Sequence, residues 1–251
     1  MKPKALVIRT AGTNCDKESV FALNMAGAAT DMHHINYLRH NGDLSRYQII
    51  CIPGGFSYGD DLGAGKIFSL ELSLWFKDEI LNAVNRGALV IGICNGFQIL
   101  AKTGILPDMD FKQKFTLTLN DSNRFEDRWV YLKVCSESVW LKSMPEIVSL
   151  PVAHGEGKFY AGGDVLERIE ESTKVALRYV DKNGRIAGYP FNPNGSLNNI
   201  AGITDKTGRI LGLMPHPERF IFKHHSPFWC NDLLLPQGIT FFKNAVAYFK
   251  K

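Results

Sequence analysis

Ala88-Leu89-Val90-Ile91-Gly92-Ile93-Cys94-Asn95-Gly96-Phe97-Gln98-Ile99-Leu100-Ala101-Lys102 decides the architecture of this 251-residue chain. Its first part, Ala88 to Ile93, is a short apolar run suited to a strand buried on both faces, and Asn95 to Lys102 reads as the helix that follows. Between them stands Gly92-Ile93-Cys94-Asn95-Gly96, a glycine-x-nucleophile-x-glycine sequence in the strand-to-helix setting that motif requires. A sharp turn there strains the backbone of the nucleophile, and Gly92 and Gly96 remove side chains that would clash. Cys94 then lies at a helix N-terminus, where the positive end of the dipole lowers a thiol's pKa. The plainer reading, a cysteine that is simply buried, is accepted for Cys15, Cys51, Cys135 and Cys230. For Cys94 the spacing favours a nucleophile.

The same alternation continues on the N-terminal side. Ala5 to Ile8 reads as a buried strand, Asp16 to Ala26 as a helix stopped by Gly27, and Gln48 to Ile52 as a strand ending at Pro53-Gly54-Gly55. His33-His34 falls on a further strand. Leu70, Leu74, Ile80, Leu81 and Val84 recur at helical spacing and predict a helix ended by Gly87. Strands alternating with helices imply an α/β fold, a mostly parallel open sheet with crossover helices. From Phe111 the pattern changes. Phe115 to Leu119 and Trp129 to Val134 read as strands of a mixed or antiparallel extension, with hairpin turns at Lys182–Arg185 and Lys206–Arg209. Gly238 to Lys250 closes the chain as an amphipathic helix carrying Ile239, Phe242, Val246 and Phe249 on one face. With no repeat, low-complexity tract or linker, residues 1–251 are expected to form one domain.

Composition narrows the function. A 45% hydrophobic content with net charge +4 excludes disorder. Lys+Arg 29 against Asp+Glu 25, scattered along the chain, is too even for a nucleic-acid partner. No window reaches the ~18 apolar residues of a membrane-spanning helix, and the apolar run near Met1 is too short for an export signal. Five cysteines, odd in number and without C-x-x-C spacing, point to a reducing, cytoplasmic setting and away from disulfides or structural zinc. His224-His225 reads as an exposed loop pair or, alternatively, as metal ligands; no metal is expected.

A cysteine nucleophile needs a base and a group to orient it. Met214-Pro215-His216-Pro217-Glu218 supplies both: Pro217 pushes His216 into the extended region, and alternate residues of an extended segment lie on one side. Glu218 would fix the tautomer of His216 and stabilise its charged form. Pro53-Gly54-Gly55-Phe56-Ser57-Tyr58-Gly59-Asp60 is the third element; its two glycines can turn amides inward and, with the amide of Asn95, form an oxyanion hole. Gly59 to Lys66 fails as a phosphate loop, because Asp60 stands at the first glycine position and Ile67 replaces the Ser or Thr.

Together these elements resemble the class I glutamine amidotransferases, and more closely the family of glutaminase subunits of phosphoribosylformylglycinamidine synthase. That family's pattern is visible in Pro53 to Asp60, in Cys94-Asn95-Gly96-Phe97-Gln98, in Met214-Pro215-His216-Pro217-Glu218-Arg219, in Asn120 with Arg124-Phe125, and in Pro151 to Phe159 with its His154-Gly155-Glu156-Gly157. The resemblance spans about residues 5–220; the tail from Lys223 to Lys251 matches no part of it, and Asp61 and Lys66 stand where many relatives carry apolar or small residues. It implies a flavodoxin-like domain that hydrolyses glutamine through a Cys94 thioester, with His216 and Glu218 completing the triad. Gly55, Phe56 and Asn95 would offer oxyanion amides, Gln98 would contact glutamine, and His154 to Gly157 would line the pocket. Ammonia would pass to a synthetase subunit that uses ATP and magnesium to amidinate formylglycinamide ribonucleotide, with a further small subunit in the complex and no cofactor in this chain. The alternatives are a glutaminase serving another acceptor, such as a nucleotide or chorismate, and a non-catalytic binding module on the same sheet. The His-Gly-Glu-Gly segment argues against the first, and intact Cys94, His216 and Glu218 against the second.

Overall fold

The structure, a computed structural model, describes residues 2–172, 174–231 and 235–250, and the statements that follow concern these. β1 (Lys4–Arg9) buries Ala5 to Ile8 completely, and α1 (Asp16–Ala26) follows it. Gly27 ends α1 at φ 103°, a left-handed position that glycine takes without a Cβ penalty. β2 (Ala29–His34), α2 (Ile35–Asn41) and β3 (Ile49–Ile52) come next, then α3 (Lys66–Trp75), α4 (Lys77–Asn85), β4 (Leu89–Ile93) and α5 (Asn95–Thr103). β5 (Phe115–Thr118), β6 (Glu126–Val134), β7 (Ile147–His154), β8 (Lys158–Ala161) and α6 (Gly163–Glu171) lead into β9 (Val175–Val180), β10 (Ile200–Thr204), β11 (Ile210–Leu213) and α7 (Gly238–Tyr248).

Nine strands share one sheet in the order β2-β1-β3-β4-β11-β10-β9-β6-β7. β2 to β11 in that order are mutually parallel, and from β11 to β7 every pairing is antiparallel. This is the expected parallel sheet with its antiparallel extension. β3, β4 and β11 are buried throughout, which is why they read as continuous apolar runs instead of alternating ones. Each fully buried Ile, Leu or Val there stabilises the sheet by about 1.5–3 kcal/mol.

Four expectations need correction. The helix predicted across Leu70 to Val84 is two helices, because Phe76 leaves the helical region at φ −130°. The buried stripe of α3 is Phe68 and Leu72, with Phe76 just beyond its end, while Leu70 and Leu74 are exposed. Phe115–Leu119 does not extend the main sheet; β5 pairs with β8 in a separate two-stranded ribbon. The turn at Lys182–Arg185 forms, with Gly184 N–H donating to Asp181 O at 3.0 Å, but the strand that returns along β9 begins only at Ile200. Cys135 and Cys230 are exposed instead of buried. The turn at Lys206–Arg209 does join β10 to β11. Of the tail, Lys223–His225 forms a 3-10 turn and α7 packs on α1; its residues 232–234 and 251 lie outside the described residues.

Candidate active site

Sheet register brings the predicted nucleophile, Cys94, and the predicted base, His216, together. Ile93 of β4 pairs with Leu213 of β11, so Cys94 and Met214 leave two parallel neighbours at the same level, and His216 follows two residues later. The Cys94 N–H donates to Leu213 O at 2.8 Å, which ties the elbow to that exit. Cys94 adopts φ 52°, ψ −106°, a backbone state seldom seen outside glycine. The flanking glycines allow it: a Cβ on Gly96 would lie 1.9 Å from Ile52 O, and one on Gly92 would lie 2.6 Å from Gly96 O.

His216 and Glu218 are almost fully buried, with His216 Nδ1 and Glu218 Oε1 2.6 Å apart. The segment is not extended throughout, as the sequence suggested: Pro217–Arg219 is a 3-10 turn, and that turn swings the carboxylate back onto the ring. His216 Nε2 has no partner among the described residues. Burial pushes the His216 pKa down, but the Glu218 carboxylate raises it, with further contributions from the neighbouring Cys94 and Cys15, and the balance lies well above the ordinary histidine value. An imidazole held this way takes up a proton readily and keeps its orientation while doing so.

The Pro-Gly-Gly loop lies against both groups. A Cβ on Gly54 would come within 2.9 Å of His216 Cε1 and 3.4 Å of Cys94 Cβ, so only glycine fits there. Gly55 takes φ 141° and faces Thr13 across an isolated antiparallel bridge. The Phe56 N–H does not point toward Cys94; it donates to Gly12 O at 3.0 Å. Asn95 opens α5, where its backbone N–H has no acceptor within the helix.

Two small cavities meet at Cys94. One, of about 190 Å³, is lined by Asn14, Cys15, Asp127, His216 and Arg219; the other, of about 180 Å³, by Asp60, Ala64, Gln98, Leu119, Gly155 and Glu156. Gly55, Phe56, Phe125 and Ala153 border both. The half-exposed Phe56 and Phe125 rings stand 6.3 Å apart. β7 is the far edge of the sheet, yet Ala153 O lies 3.7 Å from Cys94 Sγ and Pro151 O accepts from His216 N–H at 2.8 Å. The antiparallel half therefore curls back over Cys94.

Gln98 lines the second cavity through a fixed network: its Oε1 accepts from Asn95 Nδ2 at 2.9 Å and its Nε2 donates to Glu156 O. His154 borders that cavity, but its imidazole is buried and pinned elsewhere, with Nδ1 3.2 Å from Asn120 Oδ1 and Nε2 3.4 Å from Asn194 Nδ2. Burial lowers the His154 pKa to about 3, so the ring is neutral, with Nδ1–H donating and Nε2 accepting. Gly157 lies outside both cavity linings. Its N–H donates to Asn120 Oδ1 at 3.0 Å, and its missing Cβ makes room for the His154 ring 2.3–2.7 Å away.

Sequence reasoning passed over Cys15. It is buried, but its Sγ lies 3.1 Å from Arg219 Nη2 and 4.0 Å from His216 Nδ1, inside the site. Burial raises its thiol pKa. Position held the signal: Asn14-Cys15-Asp16 follows the carboxyl end of β1, where open α/β sheets gather ligands. Cys15, His216 and Glu218 are also the one group of potential metal ligands among the described residues, with atoms within 4.8 Å of one another. The His216–Glu218 hydrogen bond and the Arg219 guanidinium beside Cys15 disfavour a cation there. His224 stacks on Phe222, His225 meets both rings edge-on, and neither belongs to that group.

A CobB/CobQ-like glutamine amidotransferase domain profile matches residues 2–249, which takes in most of the tail left unplaced by the sequence. A phosphoribosylformylglycinamidine synthase subunit PurQ from Dehalococcoides mccartyi is 46% identical, covering 100% of this chain and 99% of its own. A protein of the same name from Methanococcus maripaludis strain C5 is 40% identical over 100% of both. The PurLQS structure from Thermotoga maritima covers 99% of both chains at 32% identity and a TM-score of 0.78. A Thermotoga maritima glutamine amidotransferase, 16% identical and covering 98% of this chain and 97% of its own at a TM-score of 0.56, shares the fold.

Proposed function

The chain belongs to the CobB/CobQ-like glutamine amidotransferase family, and from that premise we propose that it is a glutaminase whose Cys94, His216 and Glu218 hydrolyse glutamine for a synthetase partner. It is an enzyme of the type that serves phosphoribosylformylglycinamidine synthase in purine biosynthesis. The observation that carries the chemical reading is the relay from Glu218 Oε1 to His216 Nδ1, 2.6 Å long, with His216 Nε2 unpartnered beside the elbow cysteine.

In this reading His216 takes the Cys94 proton at Nε2 as Sγ attacks the glutamine carboxamide carbon. The oxyanion then draws on backbone N–H groups at Asn95 and in the Gly54–Phe56 loop. His216 returns the proton to the leaving nitrogen, the C–N bond breaks, and ammonia departs from a Cys94 thioester. Water, deprotonated by the same imidazole, attacks the thioester, breaks the C–S bond and releases glutamate. Glu218 keeps the ring oriented and offsets its charge at each transfer. Gln98, with the main chain of His154, Gly155 and Glu156, shapes the glutamine compartment, and Gly157 supports that wall from behind.

The whole chain acts as one glutaminase domain in this proposal, with no cofactor of its own. Ammonia goes to a synthetase subunit, where ATP and magnesium drive amidination of formylglycinamide ribonucleotide, in a complex that includes a further small subunit. No helix among the described residues is long and apolar enough to cross a membrane. The proposal sets the complex in the cytoplasm, where thiols stay reduced. Incubation of the complex with the glutamine analogue 6-diazo-5-oxo-L-norleucine, followed by peptide mass spectrometry, tests the assignment. The adduct is expected on Cys94. Labelling of Cys15 with Cys94 unmodified would overturn it.

A further inference from the structure

The cavity on the Gln98 side of Cys94 is bordered by two carboxylates, Asp60 and Glu156, and by no cationic side chain. Asp60 is half-buried, and burial raises its pKa, with the negative charge of Glu156 adding to the effect. It makes no ion pair among those recorded for the described residues. Lys102, whose charge both carboxylates feel, instead donates to Ala64 O at 2.6 Å.

Asp60 is also held in place. Its Oδ1 accepts from Gly65 N–H and from Asn95 Nδ2, each at 3.3 Å. Tyr58, Gly59 and Asp60 take φ 55°, 69° and 56°, three successive left-handed positions of which two are not glycine. Such a run is unfavourable at the non-glycine residues and persists only where the surroundings enforce it. Here the enforcement includes Tyr58 N–H on Ala11 O at 2.8 Å and the Tyr58 hydroxyl donating to Glu71 at 2.7 Å. The strained loop thus presents a partly desolvated, unpaired carboxylate to the compartment that also reaches the nucleophile.

Glutamine brings one cation, its α-ammonium, at the end of the molecule away from the carboxamide. We propose that Asp60 receives the α-ammonium of glutamine and so determines the chain's preference for an α-amino acid amide over an amide lacking that group. The proposal rests on the glutaminase reading and deepens it. Asp60 acts on binding and selection, while Cys94 and His216 act on the bond. Its Oδ1 contacts to Gly65 and Asn95 fix one oxygen and leave the other for the substrate.

The test compares glutamate release from L-glutamine with glutarate release from 4-carbamoylbutanoate, which has the same chain without the amine, using the chain together with its synthetase partner. The unsubstituted protein is expected to favour glutamine by at least about 100-fold in kcat/KM, as sites built around a polar substrate group do. Asp60→Asn keeps a carbonyl oxygen for Gly65 and Asn95 but removes the charge. It should raise KM for glutamine, leave kcat within a few-fold and collapse the preference toward unity. Asp60→Ser serves the same comparison should Asp60→Asn fail to fold. An unchanged preference, with both substrates affected equally, would show a purely structural Asp60 and overturn the proposal. A collapse in Glu156→Gln but not in the Asp60 variants would also overturn it, by moving the ammonium to Glu156. Absence of glutamate release from the unsubstituted complex would overturn this proposal and the glutaminase reading together, whereas the preceding outcomes leave that reading standing.

Discussion

The Phe56 N–H donates to the Gly12 carbonyl at 3.0 Å, so an amide expected to face the oxyanion is turned toward the loop after β1. A Cβ on Gly12, whose φ is 83°, would lie 1.9 Å from Phe56 O, so the two loops are in backbone contact. An oxyanion hole using the Phe56 amide requires this hydrogen bond to break. The Phe56 amide should therefore be protected from hydrogen exchange in the isolated chain. It should lose protection when the synthetase partner and its nucleotide substrates are added. Equal protection in both states would mean that the loop does not switch.

Glu218→Gln should lower turnover far more than glutamine affinity. The carboxylate lies 2.6 Å from His216 Nδ1, on the side of the ring away from the unpartnered Nε2. Loss of an orienting acid costs on the order of 10²–10⁴-fold in kcat when the tautomer is no longer fixed. Steady-state kinetics on the complex separate the two effects. A collapse in affinity with normal kcat would make Glu218 a substrate contact.

Cys94→Ala should abolish glutamine-dependent synthesis by the assembled complex while synthesis from free ammonium salt continues, because in the proposed reading the elbow serves only to release ammonia. Cys51→Ala removes a wholly buried thiol from β3 and should change stability alone, by about 1–3 kcal/mol. Parallel assays with glutamine and with ammonium chloride, beside denaturant melts, distinguish the two cysteines. Residual glutamine-dependent synthesis in Cys94→Ala would contradict the assignment.

His154 gives a pH signature without chemistry. Burial holds its pKa at about 3 in the folded chain, against about 6.5 in the unfolded one. The unfolded state therefore binds a proton below pH 6.5 that the folded state refuses. Stability from this group is complete above that pH and falls as pH drops toward about 3. The slope reaches about 1.4 kcal/mol per pH unit. Denaturant unfolding of the unsubstituted chain should accordingly steepen with acid more than that of His154→Gln. Parallel curves for the two would refute a buried neutral imidazole.

Much of this was legible in the sequence because the parallel half is built from local signals. Buried strands read as continuous apolar runs, Gly27 marks the end of α1, and the elbow announces itself by Gly92 and Gly96. The break at Phe76 was not legible, since neither Gly nor Pro marks it. Leu70 and Leu74 fitted the helical period yet face outward, because α3 buries Phe68 and Leu72 instead. The pairing of β5 with β8 joins segments far apart in the chain, which no local pattern encodes. At the site, residue types around Cys94, His216 and Glu218 were readable. Cys15 and Arg219 join them through tertiary contacts across the loop after β1, and the imidazole of His154 supports the wall from behind instead of facing the cavity.

Glutamate release by the purified chain, measured alone and then with the synthetase partner and its nucleotide substrates, tests the central claim most directly. A glutaminase whose Phe56 amide is held by Gly12 should be slow alone, and its rate should rise by about one to two orders of magnitude on assembly, as coupling between sites of 1–3 kcal/mol allows. Cys94→Ala should show no release in either state. Full activity from the chain alone, unchanged by any synthetase, would contradict the account and describe a free-standing hydrolase.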